Sequence, residues 1–370
     1  MSNYHSTGSR QEEDAVQFSI YTEIQRHGDK PFEQLYDEVI DQIVHADRVG
    51  FDTYAIIEHF FFEGFSASAN PWALLAKASE RAPRIKFRTM GHPLPYYNPT
   101  VLASQIAQFD LLVGQRYEFG VLRGHGWIPK KAGIRMEDTV GLYEESLEIV
   151  FLALENETFS YDGEFYTIEN GHIVPRPPED RRFRVFLGGT SDRTYELAGE
   201  RGWAVAVPPL LPYEALADQL DLYRKVCETN GHDPDIVWIH ACYIDEDRDT
   251  AVREAETMMR GFLEGNASPL LAEGPPGTAE ELEAGRYQFY GAGILEDLAK
   301  MPYEKMIEDD VVWVGTPADV IERIETVQGK CEGLTEVAIT VNPGGVDHWK
   351  SIKAQELFAR EVIPHFRRDT

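Results

Sequence analysis

Four short stretches of the chain carry residue types suited to chemistry, and each closes an apolar run. Glu58 and His59 follow TYAII and open onto Phe60, Phe61, Phe62 and Phe65. Met90, Gly91 and His92 follow IKFRT and lead to Pro93, Pro95, Tyr96 and Tyr97. Arg123 closes YEFGVL and precedes Gly124, His125, Gly126 and Trp127, while Gly188, Gly189, Thr190 and Ser191 close FRVFL. Histidine titrates near neutrality when unperturbed, which makes His59 a candidate acid or base. Glu58 stands either to orient it or to bond elsewhere in the core. An arginine leaving a strand end needs an anionic or carbonyl partner. A cofactor's phosphate or ring carbonyl would serve for Arg123, and so would a structural ion pair. In LGGTSDRTYELAGE two glycines let a ligand approach the backbone, and the hydroxyls of Thr190 and Ser191 stand at a helix start, whose free N–H groups and dipole favour an anion. The same loop also reads as a tight turn with an ordinary Ser/Thr cap. It is not a P-loop, because GK[ST] is absent. The aromatics after the second, third and fourth runs (Phe60, Phe61, Phe62, Phe65, Tyr96, Tyr97, Trp127) suggest a hydrophobic pocket, or loops packed down on the core.

Such residues meet only if the elements before them are neighbours. β-type runs alternate with helical patterns almost from end to end. Strand runs are expected at QFSIYT, TYAIIEH, IKFRTMG, YEFGVLRG, FRVFLGG, GWAVAVP, DIVWIHACYI and TEVAITVN, each followed by a segment with apolar residues at helical spacing, such as Leu35, Val39, Ile40, Ile43 and Val44. One extra helix, TPADVIERIETVQ, precedes the last strand. Repeated βα alternation implies parallel strands, and eight steps fit a closed (β/α)8 TIM barrel within one α/β domain over residues 15–370. Two insertions interrupt it. Residues 155–183 contain an expected hairpin around Asp162-Gly163, and residues 264–310, rich in Gly, Ala, Pro and Glu, are expected to form a mobile lid. In such a barrel functional groups gather where strands end, so the four stretches should converge on one mouth.

Composition narrows the function classes. The 370 residues carry a net charge of −28, which argues against nonspecific nucleic-acid binding. It favours solubility and is compatible with a salt-adapted source. Apolar runs are too short for a membrane span. Residues 1–14 are polar and acidic without a signal-peptide pattern, and are expected to be a disordered tail of a cytoplasmic protein. Cys227, Cys242 and Cys331 lie far apart without CxxC spacing, which fits a reducing compartment. Three histidines at strand ends raise a metal reading, but the first strand lacks the HxH pair of metal-dependent barrel hydrolases, and no metal is expected.

The segments ADRVGFDTYAIIEHFFFEGFSASANP, RTMGHPLPYYNP, YEFGVLRGHGW, VFLGGTSDRTYELAGERGW and VGTPADVIERI, in this order, resemble the bacterial luciferase-like flavin-dependent monooxygenases. The hairpin YDGEFYTIEN followed by PRPP is similar to that family's insertion before the fifth strand. The resemblance implies a barrel that binds FMN at its mouth. Reduced FMN would come from a separate NAD(P)H-dependent flavin reductase and react with O2 through a peroxyflavin to oxygenate a hydrophobic small molecule. It implies an acid/base role for His59, which matches the first histidine of the family's EHHF motif; the second is Phe60 here, which makes the pocket more apolar. By the same resemblance Arg123 lies near the flavin, and Gly188, Gly189, Thr190, Ser191 and Thr194 hold its phosphate. Met90-Gly91 falls where the family often has a non-prolyl cis peptide under the flavin ring. The substrate pocket would draw on Phe60, Phe61, Phe62, His92, Tyr96, His125 and Trp127. The family often pairs barrels, which admits a homodimer. Two other readings stay open on this fold: a deazaflavin-dependent oxidoreductase, and a flavin-binding subunit without turnover. Hydroxylation and Baeyer–Villiger chemistry both fit the aromatic mouth.

Overall fold

A computed structural model of the chain describes residues 16–287, 297, 300–343 and 346–367. The tail expected at 1–14 and part of the second insertion lie outside the described residues. The strands are β1 (Gln17–Thr22), β2 (Thr53–Ile56), β3 (Lys86–Pro93), β4 (Tyr117–Leu122), β5 (Phe159–Asp162), β6 (Thr167–Gly171), β7 (Val185–Gly188), β8 (Ala204–Val207), β9 (Ile236–Ile244), β10 (Trp313–Gly315) and β11 (Leu334–Thr340). All pairings within the main sheet are parallel, in the order β9-β11-β1-β2-β3-β4-β7-β8, and β8 pairs back onto β9. The sheet therefore closes into the eight-stranded barrel that the alternation implied, with helices outside. An unexpected short strand, β10, pairs with β9 beyond that strand's contact with β11, with Trp313 opposite Cys242. β9 is long enough, at nine residues, to serve both partners.

The helices start where the sequence places stop and start signals. Asn70 and Asn98 each precede a proline at the first helical position, and their side chains accept from the amides of Ala73 and Val101. Gly50 ends the first helix with φ 100°, a left-handed conformation that suits glycine. The expected hairpin is present as β5 and β6, with a four-residue connection, Gly163 to Tyr166, rather than a two-residue turn. Glu145 fixes that connection by accepting from the amides of Glu164, Phe165 and Tyr166.

Inside the barrel two layers separate. The lower layer, at the N-terminal ends of the strands, is ionic. Arg88 of β3 is fully buried and bridges Glu118 of β4 and Glu336 of β11. Ser19 of β1 donates to Glu336, and Arg184 joins Glu336 to Asp235. Above it Tyr21, Ala55, Met90, Phe186, Ala206, Val237, Ile239 and Ala338 form an apolar plug. β3 and β4 touch at this level: a Cβ on Gly91 would lie 2.3 Å from the carbonyl carbon of Gly120. Only glycine fits that approach.

The segment after β9 roofs the mouth. The helix expected to stop near residue 263 continues to Glu273 through Pro269. A short helix, Ala279–Ala284, follows, capped by the Thr278–Glu281 box. Trp127 Nε1 donates to the carbonyl of Gly274 (2.8 Å), Lys131 pairs with Glu273 (2.6 Å), and Phe62, Trp127 and Leu270 pack together.

Candidate active site

A cavity of about 490 Å³ occupies the mouth at the C-terminal ends of the strands. The β1 end contributes Tyr21 and Glu23; the β2 end Ile57, Glu58, His59 and Phe65; the β4 end Leu122, Arg123, His125 and Trp127. The β7 end contributes Gly188, Gly189, Thr190, Ser191, Arg193 and Thr194, and the β8 end Pro208 to Leu211. Ile128, then Val140, Tyr143 and Glu144 from the helix Thr139–Glu155, Asn266 and Pro269 from the roof helix, and Arg286 and Tyr287 also line the wall.

The structure thus gathers His59, Arg123, Gly188, Gly189, Thr190, Ser191, Thr194, His125 and Trp127 around one space. Met90 lies below it in the apolar plug, and the Met90-Gly91 peptide is cis. The remaining pocket aromatics are not in the cavity wall. Phe61 is 56% exposed, Phe60 packs against Tyr96 with ring centroids 6.2 Å apart, and Phe62 faces the roof with Trp127 and Leu270. Three consecutive residues after a short strand cannot all face one cavity; Phe65, four positions after Phe61, turns back and does so. His92 is also a correction. It is fully buried behind the wall, with Nδ1 2.6 Å from Glu58 and Nε2 2.8 Å from the hydroxyl of Tyr117. Tyr97 donates to the second Glu58 oxygen, and Trp72 Nε1 donates to Tyr117 (2.8 Å). Glu58 therefore holds His92 and Tyr97 rather than orienting His59. A Glu58→Gln substitution leaves one of these donors facing an amide N–H, and is expected to cost about 1–3 kcal/mol in urea unfolding.

His59 stacks on His125 with centroids 4.0 Å apart and on Phe65 at 4.0 Å. Burial pushes the His59 imidazole down to about 3. Burial, followed by the neighbouring His59, holds His125 well below the ordinary value. Both rings are thus neutral at neutral pH, so His59 meets a ligand as a neutral acceptor or donor and not as the near-neutral titrating group expected from its type. Arg123 is not aimed freely into the cavity. It donates to the carbonyls of Gly285 and Arg286 (2.7 Å to the latter), and its guanidinium lies 4.0 Å over the Tyr287 ring. It ties the roof to β4.

The β7 loop is the part best suited to an anion. Ser191 precedes the helix Asp192–Arg201 and its hydroxyl bonds Thr194 (2.9 Å) instead of capping the helix amides. Two hydroxyls and a helix start therefore face the cavity together. Arg193, at the rim, pairs with Glu196 and Glu200. The sequence reading considered the ends of the second to fifth strands and so missed Glu23. Burial, opposed by weaker hydrogen bonds from Asn266 and Tyr21, pushes its carboxyl up to about 8. A carboxyl group with no cation partner among the described residues is invisible in the sequence until burial is known.

Among the described residues no group of three or more His, Cys, Asp or Glu side chains is arranged to hold a metal ion, and no helix is long and apolar enough to cross a membrane.

Residues 16–330 match the sequence profile of the luciferase-like monooxygenases. The alkanal monooxygenase alpha chain of Photobacterium leiognathi is 22% identical over 353 residues, covering 91% of this chain and 96% of that protein. Among solved structures, the oxygenating constituent of 3,6-diketocamphane monooxygenase from Pseudomonas putida, a type II Baeyer–Villiger monooxygenase in complex with FMN, superposes with a TM-score of 0.75 at 23% identity, covering 95% of this chain and 98% of that one. An F420-dependent secondary alcohol dehydrogenase superposes with a TM-score of 0.70 at 16% identity, covering 94% and 98%. With more than half the chain matched by one profile and the barrel closed as described, this protein belongs to the luciferase-like monooxygenase family.

Proposed function

We propose that the protein is the oxygenase component of a two-component monooxygenase. It takes reduced FMN from a separate NAD(P)H-dependent flavin reductase, uses O2, and oxygenates a small apolar molecule. The carrying observation is the cavity itself: one chamber of about 490 Å³ joins an anion-suited loop at β7 to a wall of Ile57, Phe65, Trp127, Ile128 and Pro269. The alkanal and diketocamphane monooxygenases among its relatives support the reading.

The residues present fit the cofactor. Gly188, Gly189, Thr190, Ser191 and Thr194 would hold a phosphate at the helix start, where neutral hydroxyls and N–H groups meet its charge. Arg123 stands beside them and would balance further negative charge. Bound reduced flavin supplies the electrons that activate O2. The chain's own contribution is exclusion and placement. The roof helix, Trp127 and the Arg123 tie keep water from the chamber, which strengthens every polar contact inside it. His59, neutral and walled by Phe65 and His125, offers a nitrogen that accepts or donates a proton without carrying charge at rest. The roof acts as the lid, and release of Arg123 from Gly285 and Arg286 opens it.

A deazaflavin is the second reading, favoured by Arg193 and Arg286 at the rim, which would suit a longer acidic tail. Fluorescence titration with oxidised FMN, reduced FMN and F420 decides between them. Preferential binding of reduced FMN is expected, weakened at least about tenfold by Thr190→Ala/Ser191→Ala through loss of charge-assisted hydrogen bonds. Preference for F420 moves the reading to hydride transfer, and binding of neither removes it.

A further inference from the structure

None of the residues proposed to hold the cofactor lies on the β1 wall of the cavity, yet that wall carries a buried carboxyl group, Glu23. Glu23 is 3% exposed. Its Oε1 accepts from Tyr21 (3.3 Å), and its Oε2 from Gln25 Nε2 (3.1 Å) and Asn266 Nδ2 (3.0 Å). Asn266 stands on the roof helix and also donates to the carbonyl of Phe262 (3.0 Å), so the carboxyl is fixed from strand and roof together. In the ring of eight strands β1 lies four places from β7 in either direction, so Glu23 faces the anion-suited loop from the opposite wall.

The cations that line the cavity all belong to elements other than β1 and β2, and one further acid, Glu144 of the helix Thr139–Glu155, stands among them. The lining cations Arg123, Arg193 and Arg286 belong to the β4 end, the helix after β7 and the segment after the roof helix. The β1 and β2 ends line the cavity with Glu23, Glu58 and neutral His59, and with Tyr21, whose phenol burial keeps protonated. From β4, His125 is neutral as well. The roof helix faces Glu23 with Asn266, and its Glu264 acts on His27 instead. With no cation paired to it among the described residues, burial keeps the Glu23 carboxyl protonated up to about pH 8. A protonated carboxyl has an O–H to give, whereas a bound carboxylate ligand would find only acids and neutral rings on this side.

We propose that Glu23 is the substrate-recognising group of this cavity, and that its carboxylic O–H donates to the carbonyl oxygen of a neutral, apolar ketone or aldehyde. This rests on the reading of the cavity as the reaction chamber. Glu23 sets the substrate class: it accepts carbonyl compounds and rejects carboxylates of the same shape.

The test uses the full chain with and without FMN, 2-adamantanone as the ketone probe and 1-adamantanecarboxylate as its anionic counterpart. Calorimetry measures affinity, and infrared difference spectra follow the ketone C=O stretch and the carboxyl band of Glu23. For the wild type, affinity for the ketone is expected to fall at least about tenfold between about pH 6 and about pH 9.5, which bracket the ionisation of Glu23, with a down-shifted C=O stretch only at the lower pH. Glu23→Gln, whose amide still donates, keeps the shifted stretch and loses the pH dependence. Glu23→Leu loses both affinity and shift at either pH. The carboxylate is not taken up at either pH. An unshifted stretch, the same pH profile in Glu23→Gln, equal uptake of the carboxylate, or no ketone binding with or without FMN overturns the proposal. The flavin reading fails separately: Glu23-dependent ketone binding by a protein that takes no flavin removes the cofactor and leaves the recognition group standing.

Discussion

Replacing Arg88 with methionine is expected to remove about 3–5 kcal/mol of folding stability at neutral pH, because it strands carboxylates in the barrel floor. Arg88 is fully buried between Glu118 and Glu336, and its guanidinium also lies 4.0 Å over the Phe186 ring. Arg184 contacts Glu336 at 2.7 Å and Glu118 at 3.8 Å, and Lys86 reaches Glu118 at 3.3 Å, so the two acids keep partial compensation after the change. The loss should therefore sit in the lower half of that range if Arg184 shifts inward, and in the upper half if Asp235 holds it. The pH dependence has a definite sign. Arg88, ahead of Arg184, holds both the Glu118 and Glu336 carboxyls below the ordinary value against the opposing cost of burial. Groups so depressed stabilise the fold above about pH 4.5 and lose that contribution as pH falls. The gap between wild type and Arg88→Met in urea melts should shrink below about pH 4.5, where the stranded acids protonate. Arg88→Met combined with Glu118→Gln and Glu336→Gln should recover most of the loss, since no carboxylate is then stranded and Arg184 keeps its partner Asp235. A gap that stays constant down to low pH, or a triple variant no better than the single one, would show that Arg88 stabilises through packing alone.

The barrel was legible in the sequence because each of its eight strands is followed by a helical pattern, and some of these helices carry a clear start signal, as with Asn70-Pro71 and Asn98-Pro99. The three residues of β10 carry no periodicity of their own and are a strand only because β9 outruns β11. The roof helix was misread at its end because Gly265, Asn266, Ser268 and Pro269 weaken intrinsic helix preference. Burial of Phe262, Leu263, Ala267 and Leu270 against the barrel mouth overrides it. The candidate site was legible as strand ends, and that rule brought His59, Arg123, His125 and the β7 loop together. It could not tell which way a strand-end side chain turns. His92, at the same level as His59, points behind the wall into Glu58 and Tyr117, while Glu23 points inward from a strand end with no motif to mark it.

His240→Phe is expected to make the protein markedly more resistant to acid, because the wild type buries a neutral imidazole that the unfolded chain protonates. His240 lies on β9 between the barrel and the Trp313 ring, stacked at 4.4 Å and 28°. Neither of its ring nitrogens has a hydrogen-bond partner among the described residues. Burial first, and the charge of Arg323 second, push it down to about 3. A base whose folded value lies below its unfolded value stabilises the fold fully above about pH 6.5 and withdraws that contribution as pH falls, at about 1.4 kcal/mol per unit. By pH 5 the loss from this residue alone reaches about 2 kcal/mol. Glu23 works in the opposite sense. Its raised carboxyl stabilises the fold fully below about pH 4.5 and withdraws that contribution as pH rises through about 8. Between about pH 4.5 and 6.5 the two slopes oppose each other, and His59 and His125 add to the side of His240, so the wild-type curve isolates neither. Single replacements separate them. Phenylalanine at position 240 keeps the stack on Trp313 and removes the titrating nitrogens, so the stability difference from wild type should grow by about 2 kcal/mol between pH 7.5 and pH 5 in urea melts. Glu23→Gln should gain on wild type in the other direction, toward alkaline pH. Parallel curves for His240→Phe and wild type would mean that the imidazole takes up its proton in the folded state, through water reaching β9. Opposite slopes in the two variant curves are what the burial of one base and one acid, each without an ionic partner among the described residues, requires.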